Sequence, residues 1–343
     1  DEQGNLTPTA EVGGNIITGE VIEIPNLYET HRIIAEAQFD IAANGTLVYA
    51  PGVDATLGRL VVRRPGNAAQ PLLSESADYQ RYDLSRDRRW LAAAVQAPEG
   101  TELRIYDLQN GQRTAWFRAE LIRHPIWSTD GERLLVAVRD STRWTILTGS
   151  PGSGLPPDTV ASFSADASAP DPTDFHDDHT ALAQDWSNAV VMRFDPGVPN
   201  PVFDTVLTGA RFATLSPGGK LIAYQSLEGS RVIVTTFPGT GRRWQLASEG
   251  VEPLWLSATE VLYRSGVSWY AVRINPESGE PTGAATLWAT DSRFSDTSGW
   301  SNRPSHDGGI IYVEGPSQTG TSYLRVIPNW VAQMKAAVDA ANR

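Results

Sequence analysis

Phe212-Ala-Thr-Leu-Ser-Pro-Gly-Gly-Lys-Leu-Ile-Ala-Tyr224 sets a glycine-bearing polar turn ahead of an apolar strand, and the pattern recurs along the chain. It returns as Phe39-Asp-Ile-Ala-Ala-Asn-Gly-Thr-Leu-Val-Tyr49, Tyr82-Asp-Leu-Ser-Arg-Asp-Arg-Arg-Trp-Leu-Ala92 and Pro125-Ile-Trp-Ser-Thr-Asp-Gly-Glu-Arg-Leu-Leu135. Later copies are Pro253-Leu-Trp-Leu-Ser-Ala-Thr-Glu-Val-Leu-Tyr263 and Arg303-Pro-Ser-His-Asp-Gly-Gly-Ile-Ile-Tyr312, and a worn one is read at 183–192. Asn44-Gly45, Asp130-Gly131, Gly218-Gly219 and Asp307-Gly308 supply the positive φ that tight hairpins require. A further strand with period-2 alternation follows, as at 103–108, 231–236 and 269–274.

Seven copies spaced by about 44 residues match the length of one four-stranded propeller blade. Such units bury both sheet faces only when ringed together. The expected fold is therefore all-β: a β-propeller of about seven four-stranded blades, with six as the other count the spacing allows, and a short C-terminal α-helix. The strand after each turn is expected to be the buried inner one. Residues 1–18 read as an N-terminal arm, 19–328 as the propeller and 329–343 as the helix. Within the propeller, the Pro/Gly/Ser/Asp-rich stretch 149–178 reads as an insertion loop. Gly19–Pro25 alternates like an edge strand and is expected to close the last blade, beside 310–314 and 323–327.

The formal net charge of −12 disfavours nucleic acid, whose phosphates call for Lys and Arg. Only Lys220 and Lys335 are lysines among 28 cationic side chains. The absence of cysteine excludes disulfides, thiolate metal sites and Cys nucleophiles. No apolar run approaches the roughly 20 residues that span a bilayer as a helix. The opening at Asp1 suits a processed, exported protein or a trimmed chain.

Three stretches carry a family resemblance: 37–52, 214–255 (through Phe237-Pro-Gly-Thr-Gly-Arg-Arg-Trp244) and the ending Val326-Ile-Pro-Asn-Trp-Val-Ala-Gln-Met334. They resemble the TolB-like, WD40-like (PD40) propellers of bacteria, above all those fused to bacterial eukaryotic-type Ser/Thr kinases. The likeness runs from about residue 19 to 341 and fits poorly at 149–210. The kinase signatures are absent from this sequence: no nucleotide-binding Gly-rich loop, no His-Arg-Asp loop, no Asp-Phe-Gly. The resemblance implies an extracytoplasmic (periplasmic) location in a bacterium.

Asp174, His176, Asp177, Asp178 and His179 form the one cluster with ligand chemistry, but their spacing matches no specific metal signature. We read them as a solvated acidic loop and expect no resident metal or cofactor. No Gly-x-Ser-x-Gly elbow is present. The presumed inner strands (Leu-Val-Tyr, Leu-Ala-Ala, Leu-Leu-Val, Ile-Ala-Tyr) hold no carboxylates, so no catalytic residue is assigned and no enzyme is expected. Trp90, Trp127, Trp255 and Trp300 occupy comparable turn-adjacent positions, whereas Trp116, Trp144, Trp244, Trp269 and Trp288 fall on outer strands or near blade edges. The candidate partner contacts are Arg242, Arg243 and Trp244, together with Trp330, Met334 and Val338 on one face of the terminal helix.

The function expected is a non-enzymatic protein-interaction scaffold, an extrinsic subunit stabilising a larger, membrane-embedded complex through protein partners. A ligand-sensing propeller that takes a small molecule or peptide at the channel mouth is the main alternative. A propeller hydrolase or lactonase ranks last.

Overall fold

Strands dominate because the Gly- and Asp-rich turns punctuate apolar runs of five to eight residues, too short to continue as helices. The computed structural model describes residues 10–11, 20–23, 39–42, 44–49, 57–164, 169–177, 179–238, 241–291, 302–315 and 323–341. They fall into two units, Leu57–Glu314 and the pair Asp1–Thr56 with Gly315–Arg343. His31, Asp178, Trp300 and most of the arm 1–18 lie outside the described residues.

Leu57–Glu314 holds six antiparallel four-stranded sheets, the blades of a six-bladed propeller. Blade I is Tyr79–Leu84, Trp90–Ala97, Gly100–Asp107 and Gln112–Ala119. Blade II runs from Leu121 to Ser164, blade III from Asp171 to Thr208, blade IV from Ala210 to Ala247 and blade V from Val251 to Thr290. Blade VI joins the two ends of the unit. Arg303–Pro304 and Ile310–Glu314 pair with Arg59–Arg63 and Gln70–Pro71, in the register Ile310↔Arg63 and Glu314↔Arg59.

Alternation along the closing strand explains how blade VI seals the ring. Leu60 and Val62 point to one sheet face and pack with Tyr79, Tyr82 and Leu91 of blade I. Val61 points to the other and packs with Leu254, Leu262 and Trp269 of blade V. Each neighbouring pair of blades shares one such apolar core, so six cores run round the ring. The first strands of successive blades also touch in a closed circuit, which places them innermost.

Several expectations change here. The innermost strand precedes the Gly-bearing turn; the more apolar strand after it is second, buried on both faces by neighbouring blades. The stretch 149–178 carries the outer strand of blade II, Asp158–Ser164, and the innermost strand of blade III, Asp171–Asp177. The worn copy at 183–192 spans the second and third strands of blade III, so the equivalent of the repeat lies one strand earlier. Glu20–Glu23 does pair with Tyr323–Ile327, but in a separate five-stranded sheet with Ala10–Glu11, Leu47–Tyr49 and Phe39–Ile41. The copy at 39–49 is thus a true hairpin outside the ring, leaving six blades rather than seven. In that same unit, helix α1 (Trp330–Ala341) sets Val331 against Gly45 of the hairpin turn.

Candidate functional site

The innermost strands bring charge to the ring axis. In blades II, IV and V that strand is bulged, and the bulge holds His124, Phe212 and Glu252 at φ of 48°, 53° and 54°. Positive φ is uncommon for such residues, and bulges re-aim side chains, often beside functional sites. Here they turn a histidine, an aromatic ring and a carboxylate away from the regular ladder.

Asp171 of blade III is the centre of one cluster. Its Oδ2 accepts a hydrogen bond from Trp186 Nε1 at 2.9 Å and lies 3.6 Å from both Arg123 Nη1 and His124 Nε2 of blade II. The Trp186 indole stacks on His124 at 6.1 Å and meets Phe212 of blade IV edge-on at 5.2 Å. Burial, reinforced by the charges of Arg81, Arg303 and Arg123, holds the His124 pKa well below the ordinary value. Burial raises Asp171, with Arg123 pulling the other way. A carboxylate beside an imidazole has general-base character, yet this carboxylate already serves an indole and a guanidinium.

The other axial carboxylates are engaged too. Asp83 of blade I accepts from the Trp127 backbone N–H of blade II at 2.8 Å, with Arg303 of blade VI at 3.8 Å. Arg303 in turn donates to the Tyr82 carbonyl at 3.2 Å. Glu252 accepts from Arg264 and from Asn302 of blade VI, each at 3.2 Å. The expectation of an axis without carboxylates fails because the innermost strand was misplaced by one. What replaces it is a set of polar clasps between blades. At the turn end of the axis, Arg86 of blade I donates to the Pro217 carbonyl of blade IV at 3.1 Å, bridging opposite blades.

Of Asp174, His176, Asp177 and His179, the turn keeps Asp177 within 3.9 Å of the His176 ring and lets it accept from the His179 N–H at 2.9 Å, while the other groups turn to separate partners. Asp174 accepts from Leu215 N–H at 2.8 Å and Thr214 Oγ1 at 3.2 Å, the same clasp that Asp83 makes. The His176 carbonyl accepts from Thr129, while exposed His179 sits 3.1 Å from Asp195. Among the described residues no three His, Cys, Asp or Glu side chains group as metal ligands.

Trp244 is half-buried and donates to the Ser278 carbonyl of blade V at 3.1 Å, so it is a seam residue as much as a surface one. Arg242 covers its ring at 3.8 Å, and Arg242 and Arg243 are exposed. Trp269, read as lying on an outer strand or near a blade edge, is on the third strand of blade V and fully buried between blades V and VI. On α1, Met334 and Val338 are 41% and 52% exposed while Trp330 is half-buried. Sequence reasoning missed Trp186, Arg303 and Arg88. Alignment of the repeats flags the last, because an arginine stands where three sister turns have glycine.

One pH effect follows from the turn of blade VI. His306 Nε2 lies 3.0 Å from the Leu84 carbonyl of blade I, and burial lowers its pKa to about 4. A depressed folded-state pKa contributes stability above the unfolded value, lost as pH falls through the folded one. His306→Gln should therefore flatten the stability loss between about pH 6.5 and 4 by at most about 3 kcal/mol, read from urea midpoints at stepped pH.

No family model and no curated protein matches the chain. Solved structures do. An Agrobacterium tumefaciens protein assigned as TolB aligns with TM-score 0.53 and 10% identity, over 76% of this chain and 99% of that one. An oligogalacturonate lyase in complex with manganese aligns with TM-score 0.50 and 14% identity, over 85% and 96%. TolB from Acinetobacter baumannii reaches 0.49 at 16% identity; the chain spans 66% of its length, just under two thirds, and 67% of this chain is covered. Likeness at these identities is one of fold, and by fold the unit Leu57–Glu314 is a six-bladed β-propeller.

Proposed function

We propose that the chain is a non-enzymatic protein-interaction module, an extracytoplasmic extrinsic subunit of a larger membrane-associated complex. The observation that carries this reading is α1. Its first turn is anchored through Val331 on the Asn44-Gly45 turn, whereas Met334 and Val338, a turn apart on one face, stay 41% and 52% exposed. A helix held at one end with an apolar stripe left open suits a partner's groove. Arg242 and Arg243 beside Trp244 offer a second contact of the composition favoured at interface hot spots. The engagement of Asp83, Asp171 and Glu252 in blade-to-blade bonds weighs against a catalytic axis. The extracytoplasmic side rests on the family resemblance; no described helix is long and apolar enough to cross a membrane.

The test is the size of the native assembly after mild solubilisation. A Met334→Asp/Val338→Asp double variant should leave the complex while its melting midpoint moves by only about 1–2 °C. A wild-type chain that migrates as a lone monomer, or a double variant that stays in the complex, refutes the proposal. The alternative, a ligand-sensing propeller, is favoured by one feature: Arg81, Arg123 and Arg303 gather around Asp171 and His124 on the axis.

A further inference from the structure

The seam between blades VI and I encloses a cavity of about 60 Å³. At roughly 10–15 Å³ per water, that is room for about four waters or a short branched alkyl chain. Its walls are Val62 and Leu72 of blade VI and Leu84 and Leu108 of blade I, with Arg64 and Arg88 beside them. Both guanidinium groups pair with the single carboxylate of Asp307, Arg88 at 2.8 Å. Their side chains remain 35% and 49% exposed, so the charged end of the cavity reaches solvent.

Arg88 is not there for the turn. It occupies the third position of Arg86-Asp-Arg88, where the equivalent turns hold Gly131, Gly219 and Gly308 at φ of 73°, 69° and 85°. Arg88 adopts φ 63°, a left-handed conformation that costs a side-chain-bearing residue roughly 1–2 kcal/mol and glycine essentially nothing. Strain held against a cheaper local solution points to a use for the side chain. Two guanidiniums on one carboxylate leave a positive charge uncompensated beside an aliphatic pocket, in a chain whose net charge is −12.

We propose that this seam binds an aliphatic carboxylate: the alkyl group fills the space between Val62, Leu72, Leu84 and Leu108, and the carboxylate bridges Arg88 and Arg64. The same chemistry is offered by a free short-chain acid and by the C-terminal Leu or Val of a polypeptide. Every residue of the site belongs to Leu57–Glu314, and the proposal does not depend on the α1 reading.

The full chain should be titrated with isovalerate, N-acetyl-leucine and the uncharged isostere 3-methylbutanol, following the methyl resonances of Leu72, Leu84 and Leu108. Isovalerate is expected to shift these methyls with a Kd on the order of 1 mM, reasonable for seven heavy atoms, and 3-methylbutanol to bind at least about tenfold more weakly. Arg88→Gly should lose the response about tenfold or more while keeping or raising its melting midpoint, and Leu108→Trp should fill the pocket and block it. Tighter binding of N-acetyl-leucine than isovalerate assigns the site to a polypeptide end, and the reverse order to a free acid. Absence of methyl shifts with both acids, an equal response to the alcohol, or full binding by Arg88→Gly overturns the proposal.

Discussion

Asp83→Ala is expected to destabilise the chain by about 3 kcal/mol, the largest effect of any single polar substitution at the ring axis. The carboxylate is nearly buried, takes the Trp127 N–H at 2.8 Å and has Arg303 at 3.8 Å. Truncation leaves a buried N–H without its acceptor and a buried guanidinium without its anion, and each loss costs more than the intact bond contributes. Burial raises the Asp83 pKa to about 6, with Arg303 and the Trp127 bond opposing it. Urea unfolding at pH 7.5, where the group is ionised, is therefore the measurement. Asp83→Asn keeps an acceptor in place and sheds the charge that burial penalises, so it should cost less than about 1 kcal/mol. Asp174→Ala breaks the same clasp between blades III and IV, with no guanidinium paired to it among the described residues, and should fall between the two. A loss under 0.5 kcal/mol for Asp83→Ala would mean that the clasp is ornamental and the blades are held by their apolar cores alone.

The repeat was legible because tight turns have few chemical solutions: Ser128-Thr-Asp-Gly131 and Ser216-Pro-Gly-Gly219 announce themselves. Blade III hid for the converse reason. Its turn uses Asp177 and His179 in place of Asp-Gly, so the acidic residues read as a solvated loop and the repeat falls one strand late. The order of strands from the axis was misread because apolarity peaks in the second strand. Leu91–Val95 meets a neighbouring blade on both faces, whereas the innermost strand faces the polar axis on part of its length. Function inherited that error, since Asp83, Asp171 and Glu252 all lie on strands not counted as innermost. Closure was the least legible feature. Both 20–23 and 59–63 alternate well enough to serve as an edge, and pairing across more than 240 residues leaves no local mark.

The likeness to solved propellers is one of fold, so the surfaces carry the functional question. Those surfaces have meaning only if the ring is a complete body closed by Arg59–Arg63 against Ile310–Glu314. That strand contributes Leu60 and Val62 to one interblade core and Val61 to another, all three nearly fully buried. Its removal would strip two of the six cores and expose the edge of Ile310–Glu314, a loss beyond the 5–15 kcal/mol that usually separates folded from unfolded chains.

Thermal unfolding of two truncated chains compares these alternatives directly. A chain of residues 57–315 keeps all six blades, and one of residues 73–315 lacks both strands that complete blade VI. The first should melt in a single cooperative transition, with the amides of Val61 and Tyr312 among its slowest to exchange. The second should show no cooperative transition. An unfolded 57–315 chain, or a 73–315 chain that melts like it, would contradict the six-bladed closure on which this account stands.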